Sequence, residues 1–525
     1  MKFFRFKLVA LLILLYGVQT MQAQELRHVQ VLIADGIVEG VVSADNKVRT
    51  FKGIPYAAPP VGELRWKAPQ PVQPWHGVLK TIEYPKRAMQ GHIYEDMIFH
   101  DEGPSEDCLY LNLWMPENHP EQEKLPVMVW IHGGGFVAGS SSEPRQDAGN
   151  LSKKGVLIVS LNYRLGIFGF FSHPELAKES GHNASGNYGL LDQIAALQWV
   201  KKNIAAFGGD SNNVTIFGES AGSFSVSALM ASPLSEGLFQ RAIGESGAFF
   251  GVTLYTKTRL QTEEEDLKFA DSAFGTSSLE ALRAVPAEHL LEAALKKPRN
   301  FFRPNIDGYF LPASCKSIYE SGKQAHIPLL AGWNMDEGNY RTLFRTLAPT
   351  KENYVNLVKG KFGNNSDTIL KLYPAIVDSQ AKRSAQDFEG DNFTGYATWK
   401  WLEMQLATGE SPLYRYEFDQ LLPLPADAKP GTEPRAPHAG EIEYVFGVLY
   451  SKKLPWTKED YAVSDVMSTY WTNFAKTGNP NSPGLPPWPE YNRKNEYPVM
   501  HLSPNPLSSP DAHRDRYQFL DTARF

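Results

Sequence analysis

The pentapeptide Gly218-Glu219-Ser220-Ala221-Gly222 sets a hydroxyl between two glycines. It follows the apolar stretch Val214-Thr215-Ile216-Phe217 and precedes a helical pattern running from Ala221 through Met230. Strand, sharp turn and helix in that order lift a serine clear of a sheet, where its oxygen can attack a carbonyl carbon. So tight a turn needs small residues two before and two after the serine, and the helix that follows aims its N-terminal amides at the same place. Ser246, in Gly244-Glu245-Ser246-Gly247-Ala248, looks similar but has alanine where the second glycine should be. We read it as a decoy or, at most, a neighbour of the site.

Attack on a carbonyl creates an oxyanion, and backbone N–H groups must wait where that charge develops. His132-Gly133-Gly134-Gly135-Phe136 ends the apolar run Val127–Ile131, and consecutive glycines let main chain approach a substrate without side chains intervening. The glycine run supplies candidate donors, and the amide of Ala221, directly after the nucleophile, is the third. The segment lacks the Lys-Ser/Thr pair of a phosphate-binding loop and the spacing of a dinucleotide fingerprint.

The serine needs a base and the base an acid. If the triad runs serine, acid, histidine along the chain, order eliminates candidates. Of 13 histidines, His289, His326, His438, His501 and His513 follow Ser220. The strand-like Ile327–Ala331 leads into Gly332-Trp333-Asn334-Met335-Asp336-Glu337-Gly338, which offers two carboxylates. His501 lies in an apolar segment and reads as a core or strand residue; His513 sits in a charged tail. His438 closes a proline-rich loop, where a rigid turn can hold an imidazole over the serine. Spacing alone does not choose between Asp336 and Glu337.

The elements that must position these groups follow from the apolar pattern. Val127–Ile131, Gly155–Leu161, Val214–Phe217 and Ile327–Ala331 are short all-apolar runs, as expected of strands buried on both faces. Leu190, Ile194, Leu197 and Ile204 recur at helical spacing between Tyr188 and Phe207, with Gly208-Gly209 as a stop. Alternating strands and helices predict an α/β fold, and the long connections predict insertions that cap the site. The proline-rich stretches 421–437 and 478–489 read as loops, not interdomain linkers, and residues 24–525 as one domain.

Residues 1–23 read as a secretory signal: Lys2, Arg5 and Lys7, then an apolar run from Leu8 to Val18, then Ala23 before the cut. The expected location is periplasmic or extracellular, without stable membrane insertion. Cleavage lowers the formal charge from −6 to −9, which disfavours nucleic acid as a partner. Two cysteines, Cys108 and Cys315, allow one bridge at most. Neither zinc-ligand spacing nor a His-Glu-x-x-His motif is present, and we expect no metal and no cofactor.

Together these stretches resemble the type-B carboxylesterase family, which includes the cholinesterases. The resemblance is carried by Phe207-Gly208-Gly209 through Gly222, by Glu106-Asp107-Cys108-Leu109-Tyr110-Leu111-Asn112, by Asn162-Tyr163-Arg164-Leu165-Gly166 and by Phe51-Lys52-Gly53-Ile54-Pro55-Tyr56-Ala57. It extends to Gly478-Asn479-Pro480 and Trp488-Pro489. It implies an α/β-hydrolase fold: a mostly parallel central sheet flanked by helices, with helical cap insertions. It further implies a serine esterase acting on small-molecule esters, with Ser220, Glu337 and His438 as triad and Gly134, Gly135 and Ala221 as oxyanion hole. Two departures stand out. The family's cysteine partner for Cys108 is missing around Lys86–Gln90, which predicts a looser loop from Met89 to Glu106. Ile98-Phe99-His100 also stands where cholinesterases place a choline-stacking tryptophan, which lowers the expectation of choline esters.

Overall fold

The computed structural model describes residues 26–120, 122–251 and 256–523; the signal segment lies outside the described residues. The strands of its main sheet are β1 (His28–Ile33), β2 (Gly36–Val42), β3 (Val48–Pro55), β4 (Val78–Lys80), β5 (Tyr110–Pro116), β6 (Leu125–Ile131), β7 (Leu157–Leu161), β8 (Gly209–Glu219), β9 (Arg241–Glu245), β10 (Leu329–Asn334), β11 (Leu413–Phe418), β12 (Pro498–Leu502) and β13 (Leu507–Pro510). They form one sheet in the order β1-β2-β3-β5-β7-β6-β8-β9-β10-β11-β12-β13, with β4 beside β2. From β7 to β12 every pairing is parallel, while the flanks are antiparallel apart from β4, which runs parallel to β2.

The apolar runs form strands because both faces of the sheet are covered. On β6, Val127, Val129 and Ile131 enter one hydrophobic cluster while Met128 and Trp130 enter the other. That is the two-residue period of a pleated strand with no solvent face. Helix α1 (Tyr188–Asn203) covers the first face through Leu190, Ile194 and Leu197. Two further helices, α2 (Ala221–Ala231) and α3 (Ala287–Leu295), also join this cluster. On the opposite face, α6 (Lys458–Thr477) contributes Met467, Trp471 and Phe474.

The predicted helix ends earlier than expected, because its last turn tightens into a 3-10 segment, Ile204–Phe207. Gly208 then turns left-handed at φ 80°. Gly209 is not part of the stop: it pairs with Leu125 and begins β8. Long insertions follow β9 and β10. Between β10 and β11 lie α4 (Asp378–Gly390), a π-helical turn Asp391–Gly395 and α5 (Tyr396–Thr408). There Phe344, Tyr354, Tyr373 and Phe388 build a separate apolar cluster. Cys108 and Cys315 are both buried and free. The loop after Met89 has other ties: the Gln90 amide bonds Gly139 in both directions, at 2.7 and 2.9 Å, and Arg87 pairs with Asp101.

Candidate active site

Strand β8 delivers Ser220 at its C-terminal end, with φ 53° and ψ −121°. Non-glycine residues rarely adopt positive φ, and the strain is held by the surrounding packing. The Ser220 amide donates to the carbonyl of Glu245 on the neighbouring strand at 2.8 Å. The flanking glycines have a steric cause: a Cβ on Gly222 would lie 1.9 Å from the Ile131 oxygen, and one on Gly218 2.6 Å from it.

His438 reaches the serine from the proline-rich loop. Its Nε2 lies 3.0 Å from Ser220 Oγ, and its Nδ1 2.6 Å from Glu337 Oε2. Asn334, the last residue of β10, positions that loop by donating to the Pro437 carbonyl at 2.7 Å. Glu337 Oε1 accepts from Ser246 Oγ at 2.5 Å and from the Asn334 amide at 2.9 Å. Ser246 is therefore a neighbour of the site, holding the acid. The two carboxylates that spacing left open part company here. Asp336 turns away, accepting from Arg383 at 2.8 Å, from the Ala436 amide at 2.9 Å and from Gln386. His501 lies on β12, bonded to Asp419 and Ser509, and His513 is exposed at the start of the last helix.

Gly134 and Gly135 turn beside the serine with φ 100° and 64°. Their amides and that of Ala221 donate to no acceptor among the described residues. Tyr94, Met97, Phe224 and Phe393 complete a cavity of about 310 Å³ around Ser220 and His438. Phe393, on the π-helical turn, meets the imidazole edge-on at 5.0 Å between centroids.

The electrostatics involve one residue that motif reading passed over. Glu219 Oε1 lies 3.2 Å from His438 Nε2, on the serine side of the ring. It stood in the quoted pentapeptide, where a carboxylate beside a nucleophile was the available signal. Burial pushes Glu219 up to about 7 and Glu245 up to about 8. Burial also works against a charged His438, but Glu337 and then Glu219 outweigh it and raise the imidazole above its ordinary value. Glu337 itself is held below the usual carboxylate range: burial opposes this, and the His438 charge and hydrogen bond, with Ser246 and the Asn334 amide, overcome it.

Away from the site, Glu417, Asp419 and His501 bring potential metal-ligand atoms within 4.8 Å of one another. Both nitrogens of His501 are already engaged, with Asp419 at 2.7 Å and Ser509 at 3.0 Å, so the cluster is a hydrogen-bonded ion pair beside Glu417. No described helix is long and apolar enough to cross a membrane.

A mostly parallel sheet with a serine on the strand-to-helix turn, and a histidine and an acid brought in from later loops, defines an α/β-hydrolase. The Carboxylesterase family profile matches residues 27–520. The chain is 36% identical to the Fumonisin B1 esterase of Sphingopyxis macrogoltabida, over 91% of this chain and 86% of that protein. It is 37% identical to the para-nitrobenzyl esterase of Bacillus subtilis (strain 168), over 87% and 92%. A solved PNB esterase structure superposes with a TM-score of 0.79 at 34% identity, covering 94% of this chain and 99% of that one. The chain belongs to the carboxylesterase family and is a carboxylic ester hydrolase.

Proposed function

We propose that the chain, exported and working as one catalytic domain, hydrolyses small-molecule carboxylic esters through an acyl-enzyme on Ser220. The observation that carries this reading is the single imidazole lying 3.0 Å from Ser220 Oγ and 2.6 Å from Glu337. As Ser220 Oγ bonds the carbonyl carbon, His438 Nε2 takes the hydroxyl proton, and Glu337 fixes the tautomer and stabilises the imidazolium. The oxyanion is met by the amides of Gly134, Gly135 and Ala221, none of which donates to an acceptor among the described residues. Collapse of the tetrahedral adduct expels the alcohol, which receives the proton from His438. Water then attacks the acyl-serine with the same histidine as base, and the acid leaves.

The test is hydrolysis of nitrophenyl esters from two to twelve acyl carbons by mature protein, beside Ser220→Ala. Turnover by wild type with loss in the variant supports the reading, and the chain-length optimum measures the acyl pocket. Activity confined to emulsified triglyceride or polyester would recast the protein as a lipase or polyester hydrolase. No turnover of any ester by folded protein would leave a binding homologue.

A further inference from the structure

A second cavity of about 220 Å³ adjoins the catalytic one, and the wall between them is thin. His92 and Ile93 face the outer cavity, whereas Tyr94 lines the catalytic one. On the glycine loop, Gly135 belongs to the catalytic cavity and Val137 to the outer one. A Cβ on Gly135 would lie 3.1 Å from the Tyr94 hydroxyl and 3.8 Å from Val137. At that point the two spaces are separated by little more than one side chain.

The outer cavity is apolar below and cationic at its mouth. Ile167, Phe168, Leu291 and Phe302 are among the residues lining it. Lys297 Nζ is held 5.4 Å from the ring centres of both Phe269 and Phe301. The Arg299 guanidinium lies 5.0 Å from the Tyr94 ring centre and donates to the Ile93 carbonyl at 3.4 Å. Neither cation makes an ion pair with a carboxylate among the described residues. The nearby acids are turned elsewhere: Glu292 to Lys296 at 3.3 Å, Glu95 to His92 at 3.5 Å and Asp96 to Arg145 at 3.2 Å. Aromatic faces hold a cation in place without neutralising it, so an arriving anion has no internal carboxylate to displace.

Resting on the ester-hydrolase reading of Ser220, we propose that this cavity selects esters bearing a free carboxylate on an apolar arm, several bonds from the scissile carbonyl. The arm leaves the catalytic cavity past Tyr94 and covers the apolar lining, where each methylene removed from water favours binding. Its carboxylate pairs with Lys297 and Arg299. Arg299 also rests on Tyr94, whose ring belongs to the catalytic cavity, so binding of the arm is coupled to how the ester lies against Gly135.

The experiment compares two matched pairs of esters, one for each side of the bond. On the acyl side, 4-nitrophenyl octanoate is set against the 4-nitrophenyl monoester of suberic acid. On the alcohol side, octyl acetate is set against the acetate ester of 8-hydroxyoctanoic acid, followed by acetate release. In wild type, the acid-bearing member of at least one pair has the higher kcat/KM, mainly through KM, and its advantage shrinks as salt rises. In Lys297→Gln/Arg299→Gln, the ratio of acid-bearing to neutral ester falls by roughly tenfold, two partly exposed charge pairs being lost. Arg299→Lys in the Lys297 background keeps part of that ratio. If the ratio is the same in wild type and the double variant for both pairs, the proposal is overturned. Failure of the esterase reading is separately visible, because the neutral esters would then not be hydrolysed, or would still be hydrolysed by Ser220→Ala.

Discussion

Replacing Glu219 by glutamine probes the carboxylate that lies 3.2 Å from His438 Nε2. Two unit charges at that distance attract by about 5 kcal/mol at an effective dielectric of ~20. Glu219 is pushed up to about 7, so at pH 7 it is charged roughly half the time, and the His438 side chain is 27% exposed to screening water. The net contribution shrinks to about 1–2 kcal/mol. The imidazolium exists only once the serine proton has moved, so the lost attraction falls on the transition state. The expected result is a fall in kcat of about tenfold for nitrophenyl acetate. Removing a nearby carboxylate also lowers the His438 pKa, so the acid limb of the kcat/KM profile moves to lower pH. Stability changes in the opposite sense. A carboxyl raised from its ordinary 4.5 to about 7 stabilises the fold fully below 4.5, and that stability is lost as pH rises through 7. Glu219→Gln should therefore gain melting temperature relative to wild type between pH 5 and pH 8, by an amount corresponding to ~3 kcal/mol at most. An unchanged kcat, or an acid limb displaced to higher pH, would refute the electrostatic role.

Ser246→Ala removes a 2.5 Å hydrogen bond to the buried Glu337 carboxylate; such bonds contribute about 1.5–3 kcal/mol, and kcat should fall at least tenfold with KM little altered in steady-state assays. Gly134→Ala would set a Cβ 2.2 Å from the Ala138 oxygen at φ 100°, displacing a donor amide. A loss of about 100- to 1000-fold in kcat is expected, and retained activity with an intact circular dichroism spectrum would exclude Gly134 from the oxyanion site. Asp192→Asn breaks a fully buried pair in which Arg164 makes bonds of 2.8 and 2.7 Å. Urea unfolding should show a loss of about 3–5 kcal/mol; an unchanged midpoint at unchanged slope would contradict it.

What was legible in the sequence came from local constraints. Gly218 and Gly222 announce the elbow because the Ile131 carbonyl leaves no room for a side chain at either. The apolar run at 127–131 announces a strand covered on both faces, as its residues prove to be. What was not legible depends on partners far along the chain. Asp336 and Glu337 are neighbours on one loop, and only Arg383, Gln386 and Ala436 on one side, and His438 and Ser246 on the other, give them different surroundings. Gly209 reads as part of a helix stop, yet Leu125 draws it into the sheet. The role of Ser246 also needs the third dimension, since Glu337 lies 91 residues away.

The acids around the imidazole explain one another. Glu219, Glu245 and Glu441 are all buried, and burial raises the pKa of each. Glu245 accepts from the Trp471 indole at 2.7 Å and Glu441 from Asn334 at 2.5 Å, while the remaining oxygen of each has no hydrogen-bond partner among the described residues. Were all three ionised beside Glu337, their combined field would hold His438 protonated, and a protonated imidazole cannot take the serine proton. Burial raises all three, so their charge is partial near neutral pH, while Glu337, stabilised by Ser246 and the Asn334 amide, is the carboxylate that stays ionised. Glu219 is raised less than Glu245, and it alone of the three lies against Nε2. The site thus separates one permanent negative charge at Nδ1 from one that responds to pH at Nε2. Both charges favour the imidazolium that forms as His438 takes the serine proton.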